Sequence, residues 1–187
     1  MRKVSVFESI SADGFFCDRK NDISWAHRNP DPEFDRFTAE NAGGEATALF
    51  GRVTYEMMKS YWPTPQAREQ AGEVAEGMNR MEKIVFSRTL KEPGWQNVRV
   101  IAGDPVAAVR ELKQGRGPDL LVMGSGSIVS QLTQARLVDD LQLVVVPVVL
   151  GQGRTLFEGV KDRLDLELTR SRTFKNGNVV LWYESAR

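Results

Sequence analysis

The chain has 187 residues, 25 basic and 25 acidic side chains, and a single cysteine, Cys17. One substantial core is expected at this length, and hence a single domain over residues 1–187, while the balanced charge gives no drive toward nucleic acid or an anionic membrane. A lone cysteine excludes an internal disulfide and a thiolate metal cluster, and no apolar run suits a signal peptide or a bilayer helix, so a cytoplasmic protein without a metal is expected.

Residues 3–7 alternate toward a strand ending near Glu8, and Ser11-Ala12-Asp13-Gly14 reads as a turn before the apolar pair Phe15 and Phe16. Pro30, Asp31 and Pro32 start a helix in which Phe34 and Phe37 share a face. A short apolar strand over 47–50 breaks at Gly51, and a helix restarts over 54–61 until Pro63 and Pro65. Residues 67–81, rich in alanine and glutamate, read as a partly exposed helix or an ordered excursion. Strands follow at 83–86 and 98–101; Asp104 then caps a helix with Pro105 at its first position and Val106, Val109 and Leu112 on one face.

The stretch 119–132 organises the rest. Its apolar run, Leu120 to Met123, is short enough for a strand buried on both faces, Gly124 and Gly126 break it, and Ile128, Val129 and Leu132 resume at helical spacing. Strand, glycine turn and helix is the reading. Such a turn either presents amides to an anion at the positive end of the helix or simply supplies the flexible residues the bend needs. Residues 143–150 form an apolar strand containing Pro147, which marks a bulge or an edge. Leu164, Leu166 and Leu168 alternate with polar residues, and Asn176-Gly177 closes a hairpin before a strand over 179–183. Strands alternate with helices for two thirds of the chain and then finish it alone, which is an α/β sheet with an antiparallel edge.

Three strand ends carry small or polar residues: Gly51-Arg52-Val53-Thr54, Ser87-Arg88-Thr89 and Gly124-Ser125-Gly126-Ser127. Parallel strands would bring these to one edge of the sheet, where open α/β folds bind ligands. Arginine beside hydroxyls suits a phosphate monoester, although each arginine taken alone is equally a surface residue. His27 is the only histidine, so neither a His-based metal cluster nor a conventional catalytic triad can form.

Segments 49–56, 83–90, 123–127 and 137–153 fall in order and resemble the dihydrofolate-reductase-like superfamily, most closely stand-alone proteins similar to the reductase domain of bacterial riboflavin biosynthesis. The resemblance implies a mostly parallel sheet flanked by helices with an antiparallel C-terminal hairpin, an NADPH cleft across the strand ends, and often a homodimer. Carried over by position, Gly51, Arg52 and Thr54 open the helix that meets the nucleotide. Ser87, Arg88 and Thr89 hold the 2′-phosphate, and Gly124, Ser125, Gly126, Ser127 and Ile128 wrap the pyrophosphate. The turn at Ala12 and Asp13 borders the nicotinamide. Asp35, sixteen residues before Gly51, falls where dihydrofolate reductases keep a catalytic carboxylate, and it points either inward or to solvent. Trp62, Gln152 and Arg154 join Asp35 as candidates for the substrate wall.

The activity so implied is NADPH-dependent reduction of a pyrimidine or pterin-like heterocycle, with 5-amino-6-(5-phosphoribosylamino)uracil or dihydrofolate as substrate. The zinc-bearing deaminase domain common upstream in the riboflavin enzymes has no room here. The alternative is a non-catalytic nucleotide- or metabolite-binding protein of the same fold. A homodimer covering residues 143–157 is expected if the strand over 143–150 is a bare edge; otherwise the hairpin covers that edge in cis.

Overall fold

A computed structural model describes residues 1–186. Strands β1 (Val4–Ser11) and β2 (Phe15–Cys17) lead to α1 (Pro32–Gly43), β3 (Ala46–Gly51), α2 (Arg52–Tyr61) and α3 (Pro65–Arg80). Then come β4 (Glu82–Phe86), β5 (Val98–Ile101), α4 (Pro105–Gln114), β6 (Asp119–Met123) and α5 (Gly126–Gln134). Strands β7 (Asp140–Val146), β8 (Arg154–Thr155), β9 (Leu166–Thr173) and β10 (Val179–Ser185) complete the chain. The alanine- and glutamate-rich segment is thus a helix, kinked at Ala71, and β1 runs past Glu8 to Ser11.

Local chemistry explains the helix starts. The Asp31 carboxylate accepts from the Glu33 and Phe34 amides with Pro32 at the first position of α1, and Asp104 does the same for Val106 and Ala107 ahead of α4. Thr64 caps α3 through the Ala67 amide.

The main sheet has eight strands in the order β5-β4-β3-β6-β1-β7-β10-β9; the six from β5 to β7 are parallel, and β10 and β9 add antiparallel pairings. β2 and β8 form a separate two-stranded antiparallel pair. One apolar layer joins Val4, Val6 and Val122 to Val109 of α4 and to Ile128, Val129 and Leu132 of α5. Across the sheet, α1 buries Phe34 and Phe37 against Val144 and Val180, while α2 and α3 bury Tyr55 and Met78 against Ala48, Phe50 and Val85. Adjacent strands β3 and β6 therefore send their following helices to opposite faces. Such a switch leaves a crevice at the carboxyl ends of the strands.

The expectation of an edge at residues 143–150 is corrected. β7 ends at Val146, is paired on one side with β1 and on the other with β10, and so is internal. The turn at Asn176-Gly177 returns the chain alongside β7, and Pro147 lies just beyond the ladder, against Gly177. The bare-edge argument for a dimer across this strand goes with it. The outer strands are β5 and β9.

Candidate functional site

The β3–β6 crevice is closed at its base by two polar stitches. The Gly51 amide donates to Ser125 Oγ at 3.0 Å, and Thr54 Oγ1 donates to the Gly124 carbonyl at 2.8 Å. Gly124 has φ +64°, and a Cβ there would lie 2.9 Å from Thr54 Cγ2, so only glycine fits both the turn and its neighbour. At Gly126 a Cβ would meet the Phe16 ring at 2.7 Å. Gly51, Thr54, Gly124, Ser125 and Gly126, drawn from distant parts of the sequence, are thus brought together.

Helices α1, α3 and α4 each begin with a side chain satisfying their first amides, whereas α2 and α5, the two that open on the crevice, have no side-chain cap. Their leading amides, over 52–54 in α2 and at Gly126 and Ser127 in α5, precede the helical ladder, and the positive ends of both dipoles sit there. Ile128 and Val129 already bond the Ser125 carbonyl at 2.8 and 2.9 Å, and Ile128 is buried in the apolar layer below. Two uncapped helix starts at one crevice are suited to a polyanion.

The flanking groups are less uniform. Arg52 pairs with Glu56 at 2.7 Å on the half-exposed surface of α2. Beyond β4, Ser87 Oγ accepts from the Thr89 and Leu90 amides at 3.1 and 3.0 Å, a tight turn that leaves Arg88 and Thr89 exposed. The Asp13 carboxylate accepts from Ser11 Oγ and from the Leu150 and Gly151 amides, at 2.7, 3.1 and 2.7 Å, and the Ser11 hydroxyl with these amides holds its pKa below the usual carboxylate range. With the Ala12 amide on the Val148 carbonyl, the first turn is stapled to the loop after β7. The β2–β8 pair places the Arg154 guanidinium over the Phe16 ring, 5.7 Å from its centroid, and leaves Gln152 exposed.

Asp35 is exposed in the first turn of α1, and its charge acts on His27, whose pKa is held below the usual imidazole range by desolvation that the carboxylate opposes. No ion pair or side-chain hydrogen bond joins Asp35 or His27 to the glycine turn among the described residues. Trp62 lies at the far end of α2 from Gly51 and is linked back toward the crevice by its indole on Met58 Sδ, 3.0 Å away.

Sequence reasoning passed over Glu8 and Phe16. Glu8 is 9 % exposed, on the same inward face of β1 as Val4 and Val6. Oε1 accepts from the Ser9 amide at 3.1 Å, and Oε2 has no partner. Burial pushes its pKa up to about 8, against the lowering pull of the Ser9 and Gly124 amides. The signal that could have found it is the alternation itself: Val4, Val6 and Glu8 occupy one face at period two.

Among the described residues no cluster of His, Cys, Asp and Glu could hold a metal ion, and no helix is long and apolar enough to cross a membrane. The family profile of the RibD C-terminal domain matches residues 2–180. The chain belongs to that family. The uncharacterized protein YyaP of Bacillus subtilis (strain 168) is 30% identical over 182 residues, covering 97% of this chain and 94% of YyaP. A protein of Shewanella sp. PV-4 proposed to act in riboflavin biosynthesis superposes with a TM-score of 0.76 at 22% identity over the whole of both chains. A diaminohydroxyphosphoribosylaminopyrimidine deaminase/5-amino-6-(5-phosphoribosylamino)uracil reductase from Thermotoga maritima gives 0.69 at 16% identity, with 99% of this chain on 57% of that one. Dihydrofolate reductase from Enterococcus faecalis, solved with NADP(H), gives 0.66 at 13% identity, with 99% and 97% covered. The fold is dihydrofolate-reductase-like, with the mostly parallel sheet and antiparallel C-terminal hairpin that the resemblance implied.

Proposed function

We propose that this chain is an NADPH-dependent reductase of a pyrimidine or pterin-like heterocycle, with 5-amino-6-(5-phosphoribosylamino)uracil as the first substrate to test. The observation that carries the reading is the pair of helix starts without a side-chain cap at the β3–β6 crevice, where every other α-helix among the described residues has one. A pyrophosphate would take the place of the missing caps, accepting from the amides at Gly126 and Ser127 and from the start of α2.

Membership of the RibD C-terminal domain family supports the reductase reading, and the dihydrofolate reductase solved with NADP(H) supports the cofactor. Arg88 and Thr89, exposed beyond Ser87, and Arg52, released from Glu56, are the proposed partners of the 2′-phosphate. The bound cofactor supplies the hydride; the protein contributes position and the exclusion of water. Gly124, Thr54, Ser125 and Gly51 fix the two strand ends, Phe16 covers Gly126, and the stapled turn at Ala12 and Asp13 forms a wall. Asp35, with His27 beside it, is the proposed proton source on the substrate side, and Trp62, Gln152 and Arg154 the proposed substrate contacts. We place the protein in the cytoplasm, as a single domain that self-associates as a homodimer, which light scattering at low micromolar concentration checks.

Titration with NADPH followed by nicotinamide fluorescence tests the cofactor, and saturation well below millimolar is expected. NADPH oxidation with the riboflavin-pathway pyrimidinone and dihydrofolate side by side tests the substrate. Tight binding without turnover of either compound would move the chain to the non-catalytic, nucleotide-binding reading.

A further inference from the structure

The two outer strands of the main sheet are unlike. β5 has four residues, three of them half-buried, whereas β9 has eight, of which seven are exposed. Both faces of β9 and its free edge therefore meet solvent. Leu166 and Leu168, 37 % and 53 % exposed, lie beside Ser185 and Tyr183 of β10 on the α5 side of the sheet. Glu167, Arg170 and Arg172 lie on the α1 side, opposite Glu184, Trp182 and Val180. There Arg170 stands 4.7 Å from the Trp182 ring centroid, and Arg172 stands 4.6 Å from that of Phe174 while pairing with Glu33. The strand changes face between Leu168 and Arg170 because Thr169 is a bulge: Tyr183 opposes Leu168 and the next residue back, Trp182, opposes Arg170.

A long bare edge is a template for another strand, and charges with a bulge ordinarily keep strands away. On β9 the same devices complement themselves. In an antiparallel pairing with its own copy about a two-fold axis normal to the sheet, each face stays on its own side, so opposed residues must share a face. The register that overlaps the whole strand sets Leu166 against Thr173, Glu167 against Arg172 and Leu168 against Ser171 of the second copy. In a regular strand these pairs would sit on opposite faces, and the bulge at Thr169 brings each onto the same one. Glu167 and Arg172 also oppose Glu184 and Val180, an even number of residues apart in β10, so their backbone groups point to the same edge. Each symmetric contact then joins a carboxylate to a guanidinium already laid over an aromatic ring, with little side-chain freedom left to lose.

We propose that β9 is the surface through which two copies of this chain pair, joining their eight-stranded sheets edge to edge. The inference names a surface for the homodimer proposed above, rests on that reading, and draws nothing from the cofactor site. The second copy satisfies the free backbone groups of β9. It sets Glu167 against Arg172, with Arg170 as the diagonal neighbour, and lays Thr173 and Ser171 beside Leu166 and Leu168. Any other strand would meet the bulge out of step and the charges unpaired, so the features that exclude foreign strands select this chain's own.

Sedimentation equilibrium of the full chain across the micromolar range tests this. The parent should have twice the chain mass. Glu167→Arg opposes like charges at both symmetric contacts and should weaken the dimer by about tenfold or more, and Arg172→Glu should do the same with the signs reversed. Mixing the two variants should give a heterodimer tighter than either alone, because each contact again joins opposite charges. Local damage from either substitution would not be cured by mixing. Arg172→Glu also loses its bond to Glu33, so where it folds badly Glu167→Arg, an exposed change on an outer strand, decides alone. A dimer that Glu167→Arg leaves as tight as the parent, or two folded variants that do not combine, overturns β9 as the surface and leaves the homodimer standing. A parent that stays monomeric overturns both.

Discussion

Lys83 and Glu8 are the two buried ionisable groups whose pKa values are driven furthest toward neutrality, both to about 8, and the protein treats them oppositely. Lys83, 0 % exposed at the start of β4, donates to the carbonyls of Asn79 and Gln96 at 3.2 and 3.3 Å and to that of Met81, with the Trp95 ring 4.4 Å away. Asn79 ties the surroundings together: Nδ2 donates to the Trp62 and Ala75 carbonyls, and Oδ1 accepts from Trp95 Nε1 at 2.7 Å. Every donor of the ammonium has an acceptor. Glu8, toward the carboxyl ends of the same parallel sheet, keeps an oxygen with none. The ammonium's donors are all filled by backbone, whereas the carboxyl, set on the apolar face of β1, is satisfied only in part.

The contrast breaks first on stability. Lys83→Met removes the side-chain donor from the Met81 and Gln96 carbonyls, which should destabilise the fold by about 3 kcal/mol. For a chain of this size that lowers the melting temperature by roughly 6 to 12 °C. Urea unfolding should register the loss with NADPH affinity retained at temperatures where the variant is folded. Glu8→Gln, an isostere with no charge to bury, should unfold within about 1 kcal/mol of the parent near pH 4, where Glu8 is neutral in both states, and should be the more stable of the two at pH 8. Equal losses from the two substitutions would erase the distinction.

The pH profile of stability sharpens it. Glu8 has its folded pKa raised, from 4.5 to about 8, so its contribution is complete below 4.5 and is lost as pH rises to about 8. Lys83 has its folded pKa lowered, from 10.5 to about 8, so its contribution is complete above 10.5 and is lost as pH falls to about 8. Together they place a minimum of stability near pH 8, with limbs of up to about 1.4 kcal/mol per pH unit. Glu8→Gln should flatten the acidic limb alone and Lys83→Met the alkaline limb alone. Denaturant midpoints across this range check it, and a maximum near pH 8 in the parent would show that other groups dominate both windows.

Much of this frame was legible in the sequence because local rules governed it. Asp31 with Pro32, Asp104 with Pro105 and the strand–glycine–helix stretch all form as their residue types dictate. The long-range pairings were not so readable. Pro147 suggested an edge, but the partner of β7 is a strand more than thirty residues later, and the intervening length carries no information on which side it returns. The glycine turn could be read, yet its stitches to Gly51 and Thr54 arise from the β3–β6 adjacency, a property of topology. The missing caps on α2 and α5 emerge only against the caps elsewhere. Glu8 and Lys83 were passed over for one reason: a charge inside a short apolar run reads as the end of that run, and only three-dimensional neighbours show it buried.

Arg88 separates the charge of the ligand from the charge of the protein. It is exposed and, among the described residues, makes no ion pair, so its removal should leave the fold intact. A charge-assisted contact to a 2′-phosphate is worth about 1.5 to 3 kcal/mol. Arg88→Ala should therefore weaken NADPH by about tenfold or more and leave NADH nearly unchanged. Equal losses for the two cofactors would move Arg88 out of the phosphate pocket.

Thr54 offers the finest cut, since it tests a neutral stitch rather than a buried charge. Its hydroxyl donates to the Gly124 carbonyl while its methyl lies where a Cβ on Gly124 would intrude. Thr54→Val keeps the shape and removes only the donor. An ordinary hydrogen bond contributes about 0.5–1.5 kcal/mol, so a loss of about threefold in NADPH affinity is expected, from a turn less firmly held. Because the hydroxyl is already committed to Gly124, NADH should weaken by the same factor, and Thr54→Ser should restore both. A selective loss of NADPH would mean that Thr54 leaves Gly124 to meet the 2′-phosphate. No change with either nucleotide would leave Ser125, bonded to Gly51, as the contact that holds the two strand ends together.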